Sequence, residues 1–154
     1  MSVVFAPARA RDLPQLVELL GILFTQEHEL SPDPRKQRRG LRRILGRRSV
    51  GRIYVARERA RAGSKVLGMV SILRSVSTAE GGPVGLLEDF VVRPELRGQG
   101  LGWRLLRRAI ARARADGLRR LILLTDGDNL RAQRLYRRAG FERSGMLPMR
   151  LRLR

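Results

Sequence analysis

Glu88 and Asp89 interrupt an otherwise apolar run, Leu86-Leu87-Glu88-Asp89-Phe90-Val91-Val92. Shortly after it the chain reads Arg97-Gly98-Gln99-Gly100-Leu101-Gly102 and then turns amphipathic. Carboxylates set among apolar neighbours are pushed toward the protonated form, which suits them to accept protons nearer neutral pH. A glycine-rich turn from a strand into a helix aims backbone N–H groups and the positive helix end at one spot, the arrangement that holds a pyrophosphate. A phosphate cradle beside strand carboxylates points to an enzyme using a phosphorylated cofactor. Two familiar phosphate loops do not fit. A Walker loop needs Lys and Ser/Thr after its last glycine, where Trp103 and Arg104 stand, and G-x-G-x-x-G needs glycine at 103. One glycine would serve a plain strand-to-helix turn; glycines at 98, 100 and 102 behind an arginine favour an anion.

The elements that must position these residues follow from apolar spacing. A first strand covers 3–8. Asp12 is the expected cap of a helix with Pro14 in its first turn and Leu13, Leu16, Val17, Leu20, Leu23 and Phe24 on one face. A loop at 26–34 leads to a basic helix at 35–47 with Leu41, Ile44 and Leu45 as its apolar stripe. Strands follow at 52–57, 65–75 and 84–92, the last two joined by a flexible connection at 77–83. By strand alternation, Glu88 and Asp89 point to opposite faces. A helix at 100–116 buries Leu101, Leu105, Ala109, Ile110 and Ala113. The run 118–124 reads as a strand covered on both faces. A second amphipathic helix, Asn129 to Ala139, is closed by Gly140, and 141–153 gives one or two closing strands. The order is β-α-α-β-β-β-α-β-α-β: an α/β (α+β) chain with a mixed sheet, a three-stranded meander in the middle and helical crossovers after it.

Composition narrows the chemistry. A chain of 154 residues, 43% hydrophobic and 31% charged, is one globular domain spanning 1–154. It has no cysteine and one histidine, His28, which removes thiolate chemistry and leaves neither a metal cluster nor a Ser-His-Asp triad to be expected. No apolar run reaches the roughly 20 residues that span a bilayer. The N-terminus lacks the pattern of a signal peptide, so a cytoplasmic location is expected. The net charge is +19, and Lys36 and Lys65 are the only lysines among 33 basic residues. Such a preference for arginine is what a GC-rich genome produces, and equally what attraction for polyanions requires.

Arg97-Gly98-Gln99-Gly100-Leu101-Gly102 resembles the acyl-CoA loop, R/Q-x-x-G-x-G/A, of the GCN5-related N-acetyltransferase (GNAT) superfamily, as found in single-domain bacterial members. Asn129, Ala132, Tyr136 and Gly140-Phe141 resemble that family's second signature, N-x-x-A-x-x-x-Y-x-x-x-G-F. The element order is similar from end to end. The resemblance implies an acetyl-CoA-dependent N-acetyltransferase that moves an acetyl group to a primary amine by direct attack on the thioester, without a metal. It implies that the amides of Arg97, Gly98, Gln99, Gly100, Leu101 and Gly102 bind the pyrophosphate. It implies further that Phe90, Val91 and Val92 pair with the pantetheine arm, and that a backbone N–H there, that of Val92, polarises the thioester carbonyl. On the same resemblance Asn129 bonds the cofactor near its sulfur and Tyr136 protonates the departing thiolate, Tyr54 being the alternative phenol. An alkyl amine is protonated at neutral pH, and Glu88 is the expected proton acceptor, directly or through water.

The acceptor side is poorer in signal. The resemblance places it between the first helix pair and the meander, where Glu27, His28, Glu29 and Asp33 form an acidic island, with Glu27, His28 and Glu88 as candidate amine-binding residues. The acceptor is a small molecule or an amino group on a protein, and family members often pair through sheet edges or C-terminal strands. Two other classes stay open: a polyanion- or nucleic-acid-binding protein, favoured by charge but opposed by few aromatics, and a CoA-binding regulator without catalysis.

Overall fold

The computed structural model describes every residue except 1, 28 and 60–63. The chain divides into two compact units, Met1–Leu124 and Thr125–Arg154. In the first, strands β1 (Val3–Pro7), β2 (Gly51–Glu58), β3 (Val66–Ser77), β4 (Gly82–Val92) and β5 (Leu121–Leu123) form one sheet in sequence order. Neighbours from β1 to β4 are antiparallel, and β5 is parallel to β4, reached through helix α3 (Leu101–Ala115). Helices α1 (Leu13–Gln26) and α2 (Pro34–Gly46) precede the meander. The second unit contains α4 (Leu130–Arg138).

Both faces of the meander are covered. Ile53, Tyr54, Val55 and Ala56 of β2 are all buried, so residues on either face find cover. Ile53, Val55, Val66, Met69 and Val91 pack with Leu13, Leu16, Leu20 and Leu41 of α1 and α2. Leu101, Leu105, Leu106, Ala109 and Ala113 are the buried stripe of α3, with Leu106 taking the place expected of the half-buried Ile110.

Three expectations change. Asp12 stands at the N-cap position of α1 as expected, but its side chain does not cap the helix: it accepts from the Arg9 amide at 2.7 Å and from Arg57 Nη1 and Nη2 at 3.0 and 2.7 Å, a pair that ties the first turn to β2. Asp33, expected in the acidic island, is the residue that caps, its Oδ1 accepting from the amides of Arg35 and Lys36. The run 118–124 yields only the short β5, with Ile122 46% exposed, because polar arginines precede it and its outer face carries no cover within this unit. The closing strands over 141–153 are absent: among the described residues no ladder forms there. Pro148 lacks a ladder donor, and the apolar residues alternating with arginine at 149–154 stay exposed.

Burial alone would raise the pKa of Asp12, but hydrogen bonds from Arg57 and the Arg9 amide overrule it and hold the carboxyl below its ordinary value. Its contribution is therefore complete above the ordinary value of 3.8 and fades as pH falls through the lowered one. Asp12→Ala leaves Arg57 buried without its partner and is expected to cost about 3 kcal/mol in urea unfolding at pH 7. The cost should shrink in strongly acid solution.

Candidate active site

The site starts from an asymmetry in β4. One edge pairs with β3 along its whole length, from Ser77↔Gly82 to Gly68↔Val92. The other meets β5 only at Gly85, Leu86 and Leu87. From Glu88 to Val92 that second edge has no strand beside it in this unit. The Arg93 amide donates to Leu67 C=O at 2.9 Å, so Arg93 faces β3, and by antiparallel alternation the N–H and C=O of Val92 face the open edge. Val92 C=O is met there by Arg97 Nε at 3.0 Å.

The open edge runs into the glycine turn. After the short turn Pro94–Leu96, Gly98 and Gly100 take φ of +79° and +77°, a region L side chains resist. A Cβ at either would meet nothing within 4 Å, so the space before the turn is open. Gly100 is the N-cap of α3 and has no side chain to cap with; the first bond of the helix is Arg104 N–H to Gly100 C=O at 3.1 Å. The amides of Leu101 and Gly102 therefore lack intrahelical acceptors and point forward with the helix dipole. This cradle fits a pyrophosphate. Gly98, Gly100, Leu101 and Gly102 line it. Arg97 has a different task from the one expected: its amide closes the turn onto Pro94 C=O at 3.2 Å and its guanidinium holds Val92 C=O and, at 3.3 Å, Gln26 Oε1. The Gln99 side chain folds back, its Nε2 donating to Glu95 C=O at 3.2 Å. Arg93, which the sequence does not single out among so many arginines, is buried and bonds Val66 C=O at 2.7 Å and Glu18 at 2.7 and 3.1 Å, fixing the start of the turn to α1 and β3.

Glu88 lies on this same open stretch. Strand alternation does not hold here. Met69 pairs with Val91 and Ser71 with Glu88, so Asp89 and Phe90 together oppose Val70, and Asp89 has φ +52°. This bulge is a backbone cost of the kind that clusters at functional sites. Ser71, fully buried, donates to Glu88 C=O at 3.0 Å and to Asp89 Oδ2 at 3.1 Å and so braces the bulge. A single hydroxyl within the apolar stretch Val66–Leu73 was its only sequence signal.

Elsewhere hydrogen bonds hold carboxylates down: backbone amides lead for Asp33 and Glu95, the Arg93 guanidinium leads for Glu18, and burial at Asp12 is outweighed by bonds from Arg57 and the Arg9 amide, so all four lie below their ordinary values. Glu88 and Asp89 go the other way. Desolvation, then the charge of Asp89, raises Glu88 even though its side chain is exposed; desolvation raises the half-buried Asp89 against the opposing bond from Ser71. The charge of Asp89 thus reaches Glu88 across the bulge.

Of the acceptor-side candidates, Glu27 follows the end of α1 and His28 lies outside the described residues. Tyr54, the alternative phenol, is buried in β2 with its hydroxyl on Asp116 at 3.4 Å, and burial followed by that carboxylate pushes its pKa up. In the second unit, Asn129 Oδ1 caps α4 by accepting from the Ala132 amide at 3.2 Å. Tyr136 stacks edge-on against Phe141, ring centroids 5.9 Å apart, just before Gly140 closes the helix at φ +99°.

Residues 13–141 match the acetyltransferase (GNAT) family. The chain belongs to the GNAT acetyltransferase family. The family is one of acetyltransferases that use acetyl-CoA. An L-methionine sulfoximine/L-methionine sulfone acetyltransferase of Pseudomonas aeruginosa is 46% identical over 65 residues, 42% of this chain and 38% of that protein, so the match spans well under half of the relative's length. An integron cassette protein from the mobile metagenome of Cole Harbour Salt Marsh has a TM-score of 0.82 at 30% identity, over 97% of this chain and 90% of its own. An acetyltransferase solved with acetyl-CoA, from Clostridium acetobutylicum, shares the fold alone: TM-score 0.79 at 16% identity, over 99% of this chain and 97% of that one.

Among the described residues no helix is long and apolar enough to cross a membrane, and no group of His, Asp or Glu is placed to hold a metal.

Asp89 has its pKa raised, so its neutral form is the one the fold prefers: its contribution is complete below the ordinary value of 3.8 and lost as pH rises through the raised one. Asn keeps an acceptor for Ser71 and tolerates positive φ. Asp89→Asn is therefore expected to melt higher than the wild type at about pH 8 and level with it near about pH 4. A pH-independent difference in melting temperature would contradict the assignment.

Proposed function

We propose that the protein is an acetyl-CoA-dependent N-acetyltransferase whose acceptor, a small molecule or a protein amino group, presents a primary amine that attacks the thioester directly. The observation that carries this reading is the open β4 edge leading from Glu88 into the glycine cradle. Acetyl-CoA supplies an activated acetyl group and a thiolate leaving group. The amides of Gly98, Gly100, Leu101 and Gly102 hold its pyrophosphate, with Arg97 and Gln99 shaping the turn. Phe90, Val91 and Val92 provide the strand edge for the pantetheine arm, and the Val92 N–H, already turned to that edge, steadies negative charge on the carbonyl oxygen. Glu88 takes the proton from the attacking amine, directly or through one water; its raised pKa makes it a better-matched acceptor than an ordinary surface glutamate. On the family resemblance, Asn129 binds near the sulfur and Tyr136 returns a proton to the thiolate. Glu27, His28 and Glu88 are the proposed contacts for the amine, a single domain over 1–154 the functional piece, and the cytoplasm its location. A small amino-acid-like amine is supported by the relative named for methionine sulfoximine.

Calorimetry with acetyl-CoA tests the cradle. Wild type is expected to bind, and Gly100→Ala to bind about tenfold more weakly, because strain of roughly 1–2 kcal/mol at φ > 0 tips the free loop away from its binding conformation. No binding by wild type at millimolar acetyl-CoA would reject the transferase reading. Thiol release across an amine panel then tests Glu88. kcat/KM is expected to fall as pH drops through a midpoint above 4.5, because the base must be deprotonated. Glu88→Gln should remove that limb and lower kcat on the order of a hundredfold. An unchanged acid limb in the variant would assign the base elsewhere.

A further inference from the structure

The charge of this chain is spread along its sequence but not evenly used. On α3, Arg104 and Arg108 lie over the Phe5 ring at 5.0 and 6.0 Å, Arg107 over Trp103 at 5.7 Å, and Arg112 reaches Asp116 at 4.0 Å. Arg57 and Arg93 are bound to Asp12 and Glu18, and Arg119 and Arg120 to Glu80. Helix α2 is different. It turns Leu41 and Gln37 into the protein and leaves Arg35, Arg39, Arg42 and Arg43 exposed, with Arg47 and Arg48 continuing the row past its end. Among the described residues, the side chains of Arg35, Arg42, Arg43, Arg47 and Arg48 have no ion pair, hydrogen bond or ring contact. Asp33 is the one acid on the helix, already capping it and paired with Lys36 at 3.8 Å.

We propose that this α2 face is a docking surface for the phosphodiester backbone of a double-stranded nucleic acid, a binding function separate from acyl transfer. Arginine forks grip phosphate oxygens in pairs, and at 1.5 Å per residue the helical part of the row, Arg35 to Arg43, runs about 12 Å along a backbone before Arg47 and Arg48 extend it. The chemistry of the face selects this occupant over other polyanions. Its exposed positions between 35 and 43 are arginine, lysine and glycine, with no aromatic or large apolar residue. A protein partner needs a buried apolar or aromatic anchor at the centre of its interface, and a membrane surface needs an apolar stripe to insert. The only apolar stripe of α2 is consumed by the core. Without an aromatic, the face has nothing on which to stack single-stranded bases, and without base-reading side chains it binds irrespective of sequence.

Fluorescence anisotropy with a labelled 20-base-pair DNA duplex, titrated between 50 and 200 mM salt, tests the proposal. Wild type should bind, with log affinity falling linearly against log salt. Removing three charges from the face by Arg39→Gln/Arg42→Gln/Arg43→Gln should weaken binding and make that slope shallower by about 0.9 for each phosphate no longer neutralised. Removing three from α3 by Arg107→Gln/Arg108→Gln/Arg114→Gln changes net charge equally and should leave the slope near that of wild type. Equal losses in both variants would show that net charge alone attracts the duplex, and would overturn the proposal. So would binding to polyglutamate of matched charge as tight as to the duplex, or no binding at 50 mM salt. All variants are exposed substitutions that leave Leu41 and Leu105 in place, and their melting temperatures check that the fold is kept. The readout uses no acetyl-CoA, so its failure and that of the transferase reading are distinguishable.

Discussion

β4 has two edges and needs a partner on only one of them. Its pairing with β3 is complete, while its pairing with β5 stops at Leu87. Most of the site follows from that. A parallel β5 requires a crossover, and the crossover is α3. The crossover begins where the open edge ends, so the first turn of α3 and the glycines before it sit at the end of a stretch of β4 with no strand beside it in this unit. A ligand with an extended arm and an anionic end finds donors for both in sequence. Had β5 run the length of β4, the backbone groups of Val92 would be consumed by the sheet and the cradle would open onto nothing.

Electrostatics adds a second constraint. In a chain of net charge +19, carboxylates are ordinarily held as anions by hydrogen bonds and basic neighbours, as Asp12, Glu18, Asp33 and Glu95 are. Glu88 and Asp89 depart from this because desolvation leads for both, with no basic partner among the described residues opposing it. The bulge contributes to this arrangement. It puts an extra residue into β4, holds Asp89 at positive φ, and keeps the charge of Asp89 within reach of Glu88 at the open edge.

Periodicity was enough to read the helices, the meander and the crossover, because α1, α3 and β2 to β4 bury regular stripes. Glycine spacing was enough to locate the turn before α3, where Gly98 and Gly100 take positive φ. The sequence reading went astray where the deciding partner is remote. Asp12 looks like a cap until Arg57, forty-five positions away, claims it. The bulge leaves no trace in the letters, since Asp89 reads as one more strand position and its positive φ is invisible there. Arg93 is one of many arginines, and only its burial against Glu18 and Val66 distinguishes it. The tail alternates like a strand, yet alternation specifies a strand only where a ladder partner exists.

The turn after β4 is tied at each step: Arg93 to Glu18 and Val66, Glu95 to Lys65, Arg97 to Val92, Gln99 to Glu95. A loop of this composition left to itself would sample many conformations, and fixing each residue costs on the order of 1 kcal/mol or more in entropy. Here that ordering falls on the folding step, before any ligand arrives. Affinity at the cradle therefore depends on residues that never touch the ligand, and loosening Arg93 would weaken binding through lost conformational entropy while every donor in the cradle stayed intact.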